Sequence, residues 1–306
     1  MVAIVTDDNA GFSSREAESL GIHVVPMPVI IDGEEYFENR NFTSSEFYKR
    51  QASGSEIHTS QPTPGSVMEI WREALTRADS IVHIPMSSGL TKSVQTARML
   101  SAEEEFAGRV FVADNRRISV TLKAAVYDAL YLAKKGLSAQ GIKDHLEATS
   151  SRSRIYIYVD TLEYLKKGGR ITPAAASMGS VLHIKPVLKI EGGKLDAKAK
   201  AIGAKKAQQD LIDFIKQDLD ECFRSSEKPL VYSMAYTPDR DGSTSKAEEF
   251  RLRFAQAIGV LPEEILMDPL SLSVAVHIGP GALATTVTEV ENTAYYLEAA
   301  RGGFRD

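Results

Sequence analysis

The sequence predicts an α/β protein built from two α/β domains, and three observations point there. Short β-branched runs alternate with helix-period stretches through the first half, the rhythm of a mostly parallel sheet covered by helices. The 306 residues suffice for one large or two ordinary domains, and 43% hydrophobic with 25% charged residues describes a globular chain. From "RIYIYVDTLEYLKKGGRI" onward the order of elements changes. The boundary is placed near residue 155, giving an N-terminal domain over 1–155 and a mixed α/β domain over 156–290, with 291–306 a tail or an appended helix.

Each element has its own signal. "VAIVTD" is a strand ending in acidic turn residues, and "REAESLG" a helix stopped by Gly21. "IHVVPMPVII" is extended, because Pro26 and Pro28 exclude a helix, and the Asp-Gly of "DGEEYFE" makes residues 23–38 a hairpin excursion. "GSVMEIWREALTRA" carries Val67, Ile70, Trp71 and Leu75 at helical spacing. "SIVHIPM" is a strand, "SSGLTKSVQTARML" a turn and a helix starting near Thr91, "RVFVADN" a strand, and "SVTLKAAVYDALYLAKKG" a long helix ended by Gly136. "SAQGIKDHLEATS" adds another helix. In the second half "VLHIKPVLKIEGGKL" predicts a strand and turn and residues 205–219 a helix. "PLVYSMAYT" is a strand and "SKAEEFRLRFAQAIG" a helix. "ILMDP" and "ALATTVTEV" are closing strands.

Composition narrows the function classes. A formal net charge of −5 argues against a general nucleic-acid footprint. Cys222 is the only cysteine, so neither an intrachain disulfide nor a Cys-based metal framework is expected. No stretch approaches the roughly 20 apolar residues that span a bilayer. The opening "MVAIVTDD" lacks the basic and apolar regions of a signal peptide, so a cytoplasmic location is expected. G-x-S-x-G, Walker A and H-E-x-x-H motifs are absent, and the six histidines have no zinc-ligand spacing. No metal or cofactor is expected.

Four stretches remain as candidates. "IHTSQPTPGSV" (57–67) is rich in turn formers, so Thr59, Ser60, Gln61 and Thr63 either start the following helix or hold a ligand. Ser87, Ser88 and Gly89 sit where a strand hands over to a helix, a place that suits an anion or simple N-capping. In "VHIGPGALA", Gly279, Gly281 and Ala284 fit a weak dinucleotide fingerprint. Pro280 in the turn and the short remaining chain rule against it. His277 beside those glycines is either structural or a ligand contact. In "TLEYLKKGGRITP", Lys166 and Lys167 fall in a last helical turn stopped by Gly168 and Gly169. Arg170 then follows on an exposed turn, either solvated or poised for a phosphate or carboxylate.

Taken together and in order, "IVTDDNAGFS", "VVPMPVIIDGEEY", "TSQPTPG", "SSGLTKS", "YLKKGGRI", "LHIKPVLKIEGGKL" and "HIGPGALA" resemble the DegV family, from residue 3 to about residue 288. These are bacterial fatty-acid-binding proteins that serve as lipid-presenting subunits of fatty acid kinase. The resemblance implies a long-chain fatty acid held as ligand in a tunnel between two α/β domains. Thr59, Ser60, Ser87, Ser88, Gly89, His277 and Gly279 would surround its carboxylate, with His277 a candidate imidazolium. It also implies no catalytic residue in this chain. An ATP-dependent kinase partner would form the acyl phosphate, meeting Arg170 and more weakly Lys166 and Lys167, and lipid exchange would involve transient membrane contact. Alternatives from other classes are an acyl-ester hydrolase using Ser88 and His277, and a carrier of another apolar carboxylate without a kinase.

Two departures from the family pattern stand out. Thr6-Asp7-Asp8-Asn9 replaces the usual T-D-S-T or T-D-S-S, with an effect expected on a structural turn. Lys198-Ala199-Lys200-Ala201, ahead of Lys206, replaces K-x-R-T, which bears on kinase docking if that basic stretch forms the docking surface.

Overall fold

The computed structural model describes residues 1–177, 184–190 and 195–301. The chain opens with β1 (Val2–Asp7), a 3₁₀ turn (Asp8–Ala10) and α1 (Ser14–Leu20). Helix α1 is started by a Ser13–Glu16 capping box and stopped by left-handed Gly21. β2 (His23–Val25) lies parallel to β1, whereas β3 (Pro28–Ile31) and β4 (Glu34–Phe37) form an antiparallel hairpin. Asp32 and Gly33 turn it with φ of 53° and 89°, the conformation a two-residue turn needs between twisted strands. The hairpin expected over residues 23–38 is thus confined to 28–37. Residues 23–25 instead join the parallel sheet, where Val25 is fully buried.

α2 (Ser44–Ala52) and β5 (Ile57–Thr59) come next, two elements not expected from the polar sequence around them. The signal for α2 was present as a Thr43–Glu46 capping box. β5 pairs with β3, opposing Thr59 to Val29, so the stretch at 57–67 is a strand end leading into α3 (Pro64–Leu75). β6 (Ser80–Ile84), α4 (Ser93–Ser101), β7 (Val110–Val112), α5 (Ser119–Lys134) and α6 (Ala139–Ala148) complete this half. α4 begins later than expected, because Ser87–Thr91 close a separate turn in which the Leu90 and Thr91 N–H groups donate to the Ser87 carbonyl. The parallel sheet runs β2-β1-β6-β7, and β4-β3-β5 form a small antiparallel sheet beside it.

The second half comprises β8 (Ser153–Tyr158), α7 (Glu163–Gly168), α8 (Pro173–Ala176), β9 (Ile184–Ile190), β10 (Leu195–Ile202), α9 (Ala204–Glu221), β11 (Leu230–Tyr236), α10 (Ser245–Ile258), β12 (Leu266–Pro269), α11 (Leu272–Ile278) and β13 (Leu283–Glu289). Its six-stranded sheet has the order β10-β9-β8-β13-β11-β12, and only β11–β12 is parallel. The basic stretch at Lys198–Ala201 lies within β10, paired to β9. The Gly-Gly turn expected between them falls on residues 191–194, outside the described residues.

α5 is what unites the halves. It is buried on nearly every face and packs against β1 and β6 of one sheet and β11 and β13 of the other. Its Lys123, with a side chain 0% exposed, ion-pairs with Glu16 at 3.0 Å and with Asp268 on β12 at 2.7 Å. α12 (Thr293–Ala300) docks on the same helix, with Tyr296 edge-on to Tyr127 at 5.4 Å between ring centres. Of the two readings of 291–306, tail or appended helix, the described part is a packed helix at 293–300, while residues 302–306 lie outside the described residues. Among the described residues no helix is long and apolar enough to cross a membrane.

Candidate functional site

Between the two sheets lies a cavity of about 550 Å³ of empty space, its mouth included. Met27, Met86, Leu90 and Ile118 supply apolar wall from the first half, and Leu165, Leu195, Val274 and Ile278 from the second. Eight polar residues share the lining, namely Asn9, Thr59, Ser60, Gln61, Thr91, Arg170, Ser273 and His277, but most of the surface turned to the cavity is apolar. A mostly apolar wall with a few placed polar groups is the arrangement that takes an amphipathic ligand.

The polar end is organised around His277. It sits in the last turn of α11, and its Nε2 lies 2.9 Å from Thr59 Oγ1 at the end of β5. Its Nδ1 is buried without a partner. Gly168, at the end of α7, is packed so closely on the ring that a Cβ there would stand 2.1 Å from Nδ1. Burial, and secondarily the neighbouring Arg170 charge, lowers the His277 pKa to about 4. The ring is therefore neutral at neutral pH, which corrects the expected imidazolium: few polar neighbours surround it, and the cation beside it opposes a second positive charge. His277 ends a helix that the sequence did not mark, and the glycine-rich turn expected after it follows at Gly279–Gly281.

Arg170 departs from expectation as well. Instead of projecting from an exposed turn, it is half-buried on the cavity wall, and its Nη1 donates to the Gly168 carbonyl. Thr59, Arg170 and His277 also line a larger outer cleft with Glu163, Tyr164 and Lys167. These three residues thus form the partition between the inner cavity and the outside.

The other predicted residues are placed as follows. Ser60 lines the cavity, and its hydroxyl donates to the Gln61 carbonyl at 3.1 Å. Ser87, Ser88 and Gly89 do not line the cavity, although Met86 and Leu90 on either side of them do. The Ser88 hydroxyl donates to Asp114 Oδ2 at 2.5 Å, and the Gly89 N–H to Ser87 Oγ at 3.2 Å. Neither serine hydroxyl is bonded to His277, so the Ser88–His277 pairing that a hydrolase would need is not formed. Gly279 meets Tyr164, where a Cβ would come within 2.3 Å, and has φ of 78°; it serves the packing of α11 on α7. Lys167 lies on the outer cleft, while Lys166 is exposed and lines neither space.

The acidic opening does more than shape a turn. Asn9 lines the cavity and its Oδ1 accepts from Ser273 Oγ at 2.6 Å. Three buried carboxylates brace wall segments through backbone N–H groups. Asp7 takes that of Met86 at 2.9 Å, Asp8 that of Met27 at 2.9 Å and Glu38 that of Leu272 at 2.7 Å. Burial pushes Asp7 and Asp8 up to about 6 and Glu38 to about 7. Ser273 and the apolar wall carry no local motif that would have marked them in advance. Among the described residues there is no cluster of His, Cys, Asp or Glu that could hold a metal ion.

The model of the DegV family, whose description begins "Uncharacterised protein, DegV family", matches residues 1–290. A DegV domain-containing protein of Deinococcus radiodurans is 29% identical, over 94% of this chain and 98% of its own. A structure described as fatty acid binding of a DegV family protein from Thermus thermophilus is 30% identical and superposes with a TM-score of 0.82, covering 94% of this chain and 99% of that one. A stearic-acid-binding protein from Eubacterium ventriosum shares the fold at 23% identity and a TM-score of 0.82, over 94% and 98% of the two chains. With the family model spanning nearly the whole chain and both sheets in place, this chain belongs to the DegV family.

Proposed function

We propose that this chain binds a long-chain fatty acid in the cavity between its sheets and presents the carboxylate to an ATP-dependent kinase partner. The observation that carries this reading is the apolar cavity closed at one end by Thr59, Arg170 and His277, which face an outer cleft on their other side. Each buried CH₂ contributes about 0.8 kcal/mol, so a chain of some sixteen carbons gains on the order of 12 kcal/mol before ordering costs. The carboxylate needs donors to offset its desolvation, and the Thr59 hydroxyl and the His277 ring supply them. The partner would approach through the outer cleft. A carboxylate oxygen would then attack the γ-phosphorus of ATP, releasing ADP and leaving acyl phosphate, with this chain contributing no nucleophile or base. In this reading Arg170, which lines both the cavity and the outer cleft, meets the transferring phosphoryl group, with Lys167 on the same cleft and Lys166 the weaker candidate.

Native mass spectrometry and organic extraction of purified protein test the binding half. A long-chain fatty acid should survive chromatography, because dissociation re-exposes the acyl chain. Protein that emerges empty and fails to take up palmitate or oleate overturns the reading. Fatty acid uptake without acyl-phosphate formation by the cognate kinase and ATP would leave a carrier without a kinase.

A further inference from the structure

On the far side of Ile118 from the His277 cluster there is a second recess, of about 650 Å³ of empty space including its mouth. It is lined by Arg116, Arg117 and Arg154, by the hydroxyl residues Thr121, Ser150, Ser151 and Ser153, and by Ile118, Ile155 and Ile190. Among the described residues no carboxylate lines it. In a chain of net charge −5, three arginines on one recess make a local exception, although Arg154 is itself ion-paired with Asp218 at 3.9 Å.

Arg117 gives the recess its meaning. The residue is 4% exposed, yet its Nε and Nη1 have no hydrogen-bond partner. Only Nη2 is engaged, donating to the Thr149 carbonyl at 2.9 Å. Asp128 and Glu289 attract it at longer range, but neither forms an ion pair with it, and Glu289 is already forked by Arg152. A buried guanidinium with two idle donors is costly, and proteins retain such a group where something accepts from it. Arg116 is exposed at the rim, held at φ of 56°. Arg154 is held by carbonyls at 2.7 and 3.1 Å, with its guanidinium within 5.9 Å of the Phe223 ring centre.

We propose that this recess is a binding site for a small phosphate monoester, its phosphoryl oxygens taken by the idle donors of Arg117, the planar fork of Arg116 and the serine hydroxyls. Planar guanidinium donors match phosphate oxygens two at a time, which a lysine cluster would not. The three isoleucines give the ester's organic part an apolar floor and favour it over the bare anion. The site is separate from the fatty-acid cavity and does not depend on how that cavity is used.

Calorimetric titration of the purified protein with n-butyl phosphate and with inorganic phosphate tests the assignment. Vesicles of phosphatidic acid in phosphatidylcholine form a third arm. Butyl phosphate is expected to bind, and more tightly than inorganic phosphate. Loss of a charged contact should weaken it about 10- to 100-fold in Arg117→Lys, which keeps the charge but not the fork, and in Arg116→Ala, a rim change that spares the core. Arg72→Ala, removing an exposed arginine paired with Glu105 elsewhere, should leave it unchanged. Circular dichroism confirms that each variant is folded. No heat with either phosphate, equal affinity in wild type and Arg116→Ala, or binding to vesicles alone would each overturn the proposal.

Discussion

Thr59 Oγ1 and His277 Nε2 lie 2.9 Å apart although 218 positions separate them in the chain. The bond joins the last residue of β5 to the last turn of α11, and so closes the polar end of the cavity from both halves of the molecule. A ligand carboxylate there would meet a hydroxyl and a ring that already position one another.

Removing either partner should weaken fatty acid retention without unfolding the chain. Thr59→Val and His277→Ala each delete one donor to a desolvated carboxylate, an effect of about 1.5–3 kcal/mol, or roughly 10- to 100-fold in affinity. Competition with a fluorescent fatty acid measures it. Unchanged affinity in both variants would place the carboxylate elsewhere.

Gly168→Ala should resemble His277→Ala in ligand binding despite leaving every donor in place. The added Cβ would stand 2.1 Å from His277 Nδ1, so the ring must leave Thr59 or α7 must move off α11. Overpacking of this kind costs about 1–3 kcal/mol, visible in a denaturation curve alongside the weaker retention. Retention and stability both equal to wild type would show that the ring has room to yield.

Arg170→Ala should separate binding from phosphorylation. Thr59, Ser60 and His277 remain, so fatty acid should still be taken up, whereas acyl-phosphate formation with the kinase and ATP should fall steeply. The same variant has an independent readout. Arg170 helps hold the His277 pKa down, so without it the ring should titrate at higher pH, as followed by NMR. Loss of uptake would make Arg170 chiefly a carboxylate ligand, and normal phosphorylation would remove it from the transfer step.

Glu38→Gln should raise stability at pH 8 and do little at pH 4. Burial raises the folded-state pKa of Glu38 from 4.5 to about 7, so the native state binds the proton more tightly than the unfolded chain. Its contribution is therefore full below about pH 4.5 and is lost as the pH rises towards 7 and above. A neutral amide still accepts from the Leu272 N–H and avoids that loss. The expected gain at pH 8 is roughly 2–4 °C in Tm for each 1 kcal/mol recovered. A gain of equal size at both pH values would contradict the assigned titration.

Lys123→Met should be the most damaging of these changes. It leaves the Glu16 and Asp268 carboxylates partly buried without their shared cation, a loss of about 3–5 kcal/mol for a broken buried pair. Chemical denaturation would show it. A variant as stable as wild type would mean that both carboxylates find water.

Much of the architecture was legible because its signals are local. Periodicity marked α3 and α5, the Asp-Gly pair marked the β3–β4 turn, and the opposed runs of β11 and β13 read as strands. The ordered motifs pointed to the family, and with it to Thr59 and His277. The elements that escaped notice, β5, α2, β10 and α11, are short or polar, and pairing or packing rather than propensity holds them. Residues 23–25 could pair with a hairpin partner or with β1, and only the burial of Val25 in the assembled sheet settles the choice.

What the sequence determined by itself was therefore the set of elements with strong period or turn chemistry, and the presence of a few short polar side chains beside glycines. What only the tertiary structure decided was their meeting and their charge. Whether Arg170 is exposed, whether the His277 ring carries a second proton, and whether the Ser88 hydroxyl faces a ligand or Asp114 depend on neighbours brought in from distant parts of the chain. Hydrogen bonding and desolvation act over a few ångströms of space, and a linear sequence does not specify which groups come within that distance.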